Sequence, residues 1–121
     1  MIVRPWVLDE QAKAALAPSM GPITWDEVEA WLSDYVACVW RIGLDAWALT
    51  FANSDNEIEF LAAGGSGAWK AMPIFDKAMR NLPEHAGKTF RIEGRKGWAR
   101  LLPDWTRKDL DGGSVLLTFK V

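Results

Sequence analysis

Two glutamates on a predicted strand are the residues best placed for acid–base chemistry. The strand spans 57–63, and Glu59 stands in its middle, where an apolar residue would be expected. A carboxylate there can act as a general base, directly or through water, and Glu57 is a second candidate. The structural alternative is that Glu59 forms an ion pair with Arg91 on a neighbouring strand. The residues alone leave both interpretations open.

A glycine-rich loop follows this strand and precedes a predicted helix. It reads Gly64-Gly65-Ser66-Gly67, so Gly65, Ser66 and Gly67 supply a Gly-x-Gly pattern. Backbone N–H groups at the N-terminus of a helix attract anions. A tight strand-to-helix turn that needs glycine conformations explains the same residues without any ligand.

Charge is divided unevenly along the chain. Residues 1–66 hold three Lys and Arg against ten Asp and Glu, whereas residues 67–121 hold eleven against six. Within 88–108 seven side chains are positive: Lys88, Arg91, Arg95, Lys96, Arg100, Arg107 and Lys108. Such a segment can attract phosphates or an acidic partner surface, and a solvated face balanced by the acidic half is the alternative.

One histidine and one cysteine leave little room for other chemistries. His85 and Cys38 fall in separate elements, which provides neither a zinc site nor a convincing Cys–His pair. We expect Cys38 to be buried and His85 to cap a helix end. A lone cysteine excludes an internal disulfide and fits a reducing compartment. There is no phosphate-binding Walker loop, carboxylate metal cluster or serine elbow.

Periodicity and turn signals predict the elements that would position these residues. Thr24 and Glu27 form a capping box, and Trp25, Val28, Trp31, Leu32 and Tyr35 then share the inward face of a helix. Pro73 predicts a kink or a later start in the helix that follows the glycine loop. The predicted order is helix 9–17, a helix from 24, strands 37–42, 46–51 and 57–63, a helix to about 82, strand 88–93, a short helix 95–102 and strand 114–121.

This order predicts an α/β (α+β) fold in a single domain, residues 1–121. The segment 57–93 has the length of a parallel strand–helix–strand crossover, and the other connections favour antiparallel pairing. We therefore expect one mixed, mostly antiparallel sheet with helices packed on it. No apolar run is long enough to span a bilayer, and the first residues lack the features of a signal peptide, which predicts a cytoplasmic protein.

The layout resembles the GNAT superfamily of N-acetyltransferases. The stretch 92–105, Ile-Glu-Gly-Arg-Lys-Gly-Trp-Ala-Arg-Leu-Leu-Pro-Asp-Trp, carries the closest likeness, with Trp105 where the aromatic of a Gly-Phe-like turn falls. More narrowly, it is similar to small GNAT-like proteins encoded by phages and prophages, in which Gly-Arg-x-Gly-Trp follows this strand.

The resemblance implies a cofactor and a set of site residues. In GNAT enzymes the loop after the central strand reads Arg/Gln-x-x-Gly-x-Gly/Ala and holds the pyrophosphate of acetyl-CoA. This implies acetyl-CoA binding by Gly64, Gly65, Ser66, Gly67 and Arg95, and a catalytic base at Glu59. Two positions depart from the pattern. Ala62 replaces the Arg or Gln, and Leu102 stands near the place of a tyrosine that protonates the leaving thiolate.

Three functions follow as hypotheses. The two departures, the eight tryptophans and the charge division favour a non-catalytic interaction or assembly component of a phage or phage-derived particle, which binds a partner protein or a second copy. The alternative is an acetyl-CoA-dependent N-acyltransferase acting on an amine. Nucleic-acid binding through Arg95, Lys96, Arg100, Arg107 and Lys108, with Trp98 or Trp105 stacking on bases, is disfavoured by the acidic overall charge. No metal and no membrane partner is expected.

Overall fold

The computed structural model describes residues 1–121 and contains seven strands, four α-helices and three short 3₁₀ turns. The elements follow the order β1 (Val3–Trp6), α1 (Glu10–Leu16), α2 (Trp25–Ser33), β2 (Ala37–Ile42), β3 (Ala46–Ser54), β4 (Glu57–Gly65), α3 (Ala68–Arg80), β5 (Thr89–Arg95), α4 (Trp98–Leu101), β6 (Thr106–Asp109) and β7 (Ser114–Lys120). The 3₁₀ turns are Ala17–Ser19, Pro83–His85 and Asp111–Gly113. None of the helices is long and apolar enough to cross a membrane.

All seven strands form one sheet in the order β1-β2-β3-β4-β5-β7-β6. Only β4 and β5 run parallel, and α3 makes the crossover between them. Every other neighbouring pair is antiparallel. The predicted mixed, mostly antiparallel sheet with one parallel crossover is therefore confirmed.

The sequence prediction missed the two edge strands. β1 contains Pro5, which cannot donate a ladder hydrogen bond, and β6 is exposed at all four residues. Edge strands carry weak signals because one side of each has no partner and little of their surface is buried. The basic residues Arg107 and Lys108 therefore belong to an edge strand rather than to a loop.

Each face of the sheet has its own apolar core. The face under α3 and α4 includes Phe60, Phe75 and Phe90, and the face under α1 and α2 includes Leu16 and Leu49. In the β3–β4 ladder Leu49 pairs with Ala62 but Thr50 pairs with Phe60, so β4 has one extra residue at this point. This bulge breaks the alternation of side chains between the two faces of β4. Phe60 therefore packs in the first core and Ala62 in the second. The alternation of the strand predicts that Phe60 and Ala62, two residues apart, share one side, and the bulge makes that prediction wrong.

The local signals at α1 and α2 give mixed outcomes. Asp9 caps α1 by accepting the N–H of Ala12 at 2.9 Å, and the Thr24–Glu27 capping box is present. Tyr35 is not core. It lies beyond the end of α2 at φ 58° and is 94% exposed, because the helix ends before its period would bring Tyr35 inward.

The helix that follows the glycine loop is continuous. α3 runs from Ala68 through Pro73 to Arg80, so the predicted later start is absent. The short helix predicted at 95–102 forms only over Trp98–Leu101, and Arg95 still belongs to β5. His85 contacts the end of α3, as expected, with Nδ1 2.8 Å from the carbonyl of Met79. Because a carbonyl only accepts, Nδ1 carries the hydrogen.

Candidate functional site

A cleft opens inside the sheet where β4 and β5 separate. The two strands pair only at Glu57 with Thr89, Ile58 with Phe90 and Glu59 with Arg91. Beyond these pairs both strands continue, β4 to Gly65 and β5 to Arg95. The space between them is about 690 Å³. Its walls are residues 60–63 of β4, 92–95 of β5, Trp69 and Met72 of α3, Gly97, Trp98, and Pro18, Ser19 and Gly21.

Ser19 is bonded to the open edge of β4. Its Oγ accepts the N–H of Ala63 at 3.1 Å and lies within donating distance of the Ala63 carbonyl at 2.9 Å. It can donate instead to the Leu16 carbonyl at 3.1 Å. The Ser19 side chain thus forms hydrogen bonds with Ala63 on a part of β4 that does not pair with β5. The rest of that edge, inside the cleft, has no strand partner on the β5 side.

The first two glycines of the loop are required by packing. A Cβ on Gly64 would lie 1.7 Å from the carbonyl oxygen of Ala15, and one on Gly65 would lie 2.1 Å from that of Asp45. Gly65 also has φ +99°. Both residues allow β4 to approach α1 and the β2–β3 turn closely. The structural explanation of the glycines therefore accounts for Gly64 and Gly65.

Gly67 has no such packing role. It is the N-cap of α3 at φ 72° and ψ 12°, and a Cβ there would meet nothing within 4 Å. No side chain caps the helix. The first N–H groups of an α-helix lack intrahelical acceptors and carry partial positive charge. Ser66 and Gly67 are exposed, and Ala63 and Trp69 on either side of the loop line the cleft. The loop therefore stands at the mouth of the cleft.

Three carboxylates surround Arg91 at the narrow end of the cleft. Its Nε lies 3.8 Å from both Glu57 Oε1 and Glu59 Oε1, and its Nη2 donates to Glu93 Oε2 at 2.9 Å. Nδ2 of Asn53 donates to Glu57 at 3.1 Å and to Glu59 at 3.0 Å. The structural alternative for Glu59, a pair with Arg91, is present.

Glu93 is the carboxylate that lines the cleft itself, and the sequence analysis did not select it. It lies near the end of β5, two residues beyond Arg91, and it is exposed. Only the point at which β4 and β5 separate shows that this side chain stands on a cleft wall. Glu59 lies instead at the last position where β4 pairs with β5, opposite Arg91.

The two positions that depart from the GNAT pattern are filled by packing side chains. Ala62 and Leu102 are both buried, at 7% and 2% exposure. Tyr35 does not line the cleft, so no tyrosine does. Among the lining residues, Ser19 carries the only hydroxyl, and Glu93 and Arg95 carry the only charges.

Two other reactive residues lie away from the cleft. Cys38 is half-buried beside the core under α3, and burial raises the pKa of its thiol to about 11. His85 is buried edge-on against Phe90, with ring centroids 5.4 Å apart. No group of three or more His, Cys, Asp or Glu side chains is arranged to hold a metal ion.

Solved structures share this fold over nearly the whole chain. A GNAT family acetyltransferase from Elizabethkingia anophelis with acetyl-CoA bound has a TM-score of 0.69 and 9% identity, covering 99% of this chain and 97% of that one. The ribosomal-protein-S18-alanine N-acetyltransferase from Escherichia coli has a TM-score of 0.60 and 10% identity, covering 99% and 93%. A domain from Methanocaldococcus jannaschii has a TM-score of 0.56 and 12% identity, covering 99% and 97%.

No protein-family model matches the chain, and no curated protein matches it in sequence. At 9–12% identity the structural likenesses establish the fold. The resemblance to the GNAT fold is thereby confirmed, whereas none of the three structures is described as a phage protein.

The comparisons correct the functional prediction. We expected a non-catalytic assembly component of a phage particle, but two of the matching structures are N-acetyltransferases and one of them holds acetyl-CoA. The prediction is wrong in giving most weight to Ala62 and Leu102. Binding of a protein partner or of a second copy stays a prediction.

Proposed function

We propose that the protein is an acetyl-CoA-dependent N-acyltransferase that acts on an amine. The observation that carries the proposal is the separation of β4 and β5 beyond the Glu59–Arg91 pair, which opens a cleft between two strand edges. A shared fold alone does not establish activity, so the proposal rests on this geometry.

The residues along the cleft fit the parts of acetyl-CoA. An unpaired strand edge binds extended chains that carry amides, as the pantetheine arm does. The uncapped N-terminus of α3 suits a pyrophosphate, and the open space at Gly67 would let the phosphates approach the backbone. When bound, acetyl-CoA would supply an acyl group activated as a thioester.

A carboxylate of this chain would accept the proton that the amine loses during transfer. As the N–C bond forms and the C–S bond breaks, the amine must lose a proton. Glu93 faces the cleft and would take it directly or through water, while Arg91 fixes the carboxylate at 2.9 Å. Glu59, in an ion pair with the same arginine at the narrow end, is the second candidate base. Since Leu102 cannot donate a proton, water would protonate the leaving thiolate.

Isothermal titration with acetyl-CoA tests this function. Gly67 and Gly112 are matched positions, because both have positive φ and open space around the missing Cβ. We expect saturable binding by the wild type, at least a tenfold loss in Gly67→Val and wild-type affinity in Gly112→Val. Release of free CoA in the presence of amines then tests transfer. A wild-type protein that binds no acetyl-CoA would overturn the proposal.

A further inference from the structure

Trp69 and Trp98 both line the cleft and contact each other. Trp69 belongs to the first turn of α3 and Trp98 begins α4, and their ring centroids lie 5.6 Å apart at an interplanar angle of 42°. Two glycines make room for them. A Cβ on Gly97 would lie 2.8 Å from Cη2 of Trp69, and one on Gly94 would lie 3.3 Å from Cδ1 of Trp98.

Trp69 keeps half of its surface in water despite this contact. It is 51% exposed, whereas Trp40, Trp47 and Trp105 are at most 9% exposed. An indole gains most stability when its large apolar surface is covered. Trp98 supports one side of the ring, so the remaining surface is held in place and free to contact a ligand.

Four cations near the two indoles have no counterion. Lys70 follows Trp69, Lys96 precedes Gly97, Arg100 is two residues beyond Trp98, and Arg95 lines the cleft. None of the four forms a salt bridge, although Lys13, Arg80, Arg91 and Arg107 all do. The nearby Glu93 is bonded to Arg91. Unpaired cations beside a helix N-terminus favour an anionic ligand.

We propose that Trp69 stacks on the adenine ring of the acyl donor, and that Lys70, Arg95, Lys96 and Arg100 bind its phosphates. A phosphate alone would not need an exposed indole, and an apolar ligand would not need four free cations. A phosphorylated heteroaromatic ring accounts for both features. The identification of that ring as part of CoA rests on the proposed function. The protein would then recognise its donor by the nucleotide as well as by the pantetheine arm.

The test compares donors with and without the nucleotide. Acetyl-CoA and acetyl-pantetheine would be assayed with the wild type, Trp69→Ala, Trp69→Phe and the control Tyr35→Ala, which removes an exposed aromatic ring outside the cleft. Titration with adenosine 3′,5′-bisphosphate measures binding of the nucleotide end alone. In Trp69→Ala we expect kcat/KM for acetyl-CoA and affinity for the bisphosphate to fall about tenfold, the size of one base–aromatic stack. Acetyl-pantetheine should be unaffected, and Trp69→Phe should recover most of the loss.

Several outcomes would overturn the subsite. These are an equal loss with both donors, no loss in Trp69→Ala, or tighter Trp69-dependent binding of a single-stranded oligonucleotide than of the bisphosphate. The two proposals fail separately. A protein that transfers acetyl groups equally well from both donors lacks the subsite but keeps the function. A protein that transfers none, yet binds the bisphosphate through Trp69, keeps the subsite and loses the function.

Discussion

Asp76 and Arg80 form an ion pair one turn apart on α3, with Nη2 of Arg80 2.6 Å from Oδ2 of Asp76. Nη1 of the same guanidinium donates to Asp104 at 2.7 Å, and its Cζ lies 3.6 Å from the ring centroid of Phe119. Trp105 donates to Asp76 at 3.2 Å. This cluster ties α3 to the segment after α4 and to β7. It therefore sets the spacing between the two helices that carry Trp69 and Trp98.

Replacing Arg80 should destabilise the protein strongly. Arg80→Gln leaves Asp76 buried without its cation, which we expect to cost about 3 kcal/mol in the free energy of unfolding. The matched control is Arg107→Gln, because Arg107 pairs with the exposed Asp109 and should contribute at most about 1 kcal/mol. Urea unfolding measures both, and equal losses would contradict the assignment.

The same variant should show a defined pH dependence. Burial raises the pKa of Asp76, against hydrogen bonds from Arg80 and Trp105 that lower it. Without Arg80 the folded-state pKa rises further above the unfolded value. Stability then falls as pH rises through that folded-state pKa. Arg80→Gln should lose more stability at neutral than at mildly acidic pH, and a loss independent of pH would argue against a charged Asp76.

The two candidate bases can be separated by isosteric substitution. Glu93→Gln should lower kcat for acyl transfer about 100-fold, the size expected for a lost general base, and leave acetyl-CoA binding unchanged. Glu59→Gln should lower it less, because Glu59 lies at the closed end and does not line the cleft. Glu84→Gln, at an exposed position, is the control. A larger effect at Glu59 would return the base to the residue that the sequence predicted.

Alanine substitutions at Gly64 and Gly67 should differ in how much they destabilise the protein. Gly64→Ala places a methyl group against the Ala15 carbonyl, so we expect a loss of about 3 kcal/mol or failure to fold. Gly67→Ala meets no atom and should cost about 1 kcal/mol for its left-handed backbone. Thermal unfolding measures the difference. Similar melting temperatures in the two variants would contradict the close contact between β4 and α1.

Cys38 should react slowly in the folded protein. With a pKa of about 11 its thiol carries no appreciable charge at neutral pH, and the thiolate is the reactive form. A coloured disulfide reagent should therefore modify it much more slowly than in urea. The rate in the folded state should rise as pH is raised toward that value. Rapid modification at neutral pH would show that the thiol is accessible and ionised.

Much of the architecture was predictable from local signals. The capping box at Thr24 and Glu27, the adjacent antiparallel strands 37–42 and 46–51 and the crossover 57–93 all depend on neighbours in sequence, and each is present. The predictions failed where the deciding contact was distant or the signal weak. Tyr35 continues the helical period but lies past the helix end, and the bulge in β4 moves Ala62 to the other core.

The sequence by itself determined the helices, most of the strands and the parallel crossover, because turn residues, caps and apolar periods act over a few residues. It also predicted Glu59 on a strand and Gly67 in the loop that follows, whereas Arg95, predicted to begin a helix, belongs to β5. Only the tertiary structure decided where β4 and β5 stop pairing, because the contacts at that point, such as Ser19 with the edge of β4, are distant in sequence. The tertiary structure also places Glu93 on the wall of the cleft and Trp69 in contact with Trp98. No local sequence pattern predicts either placement.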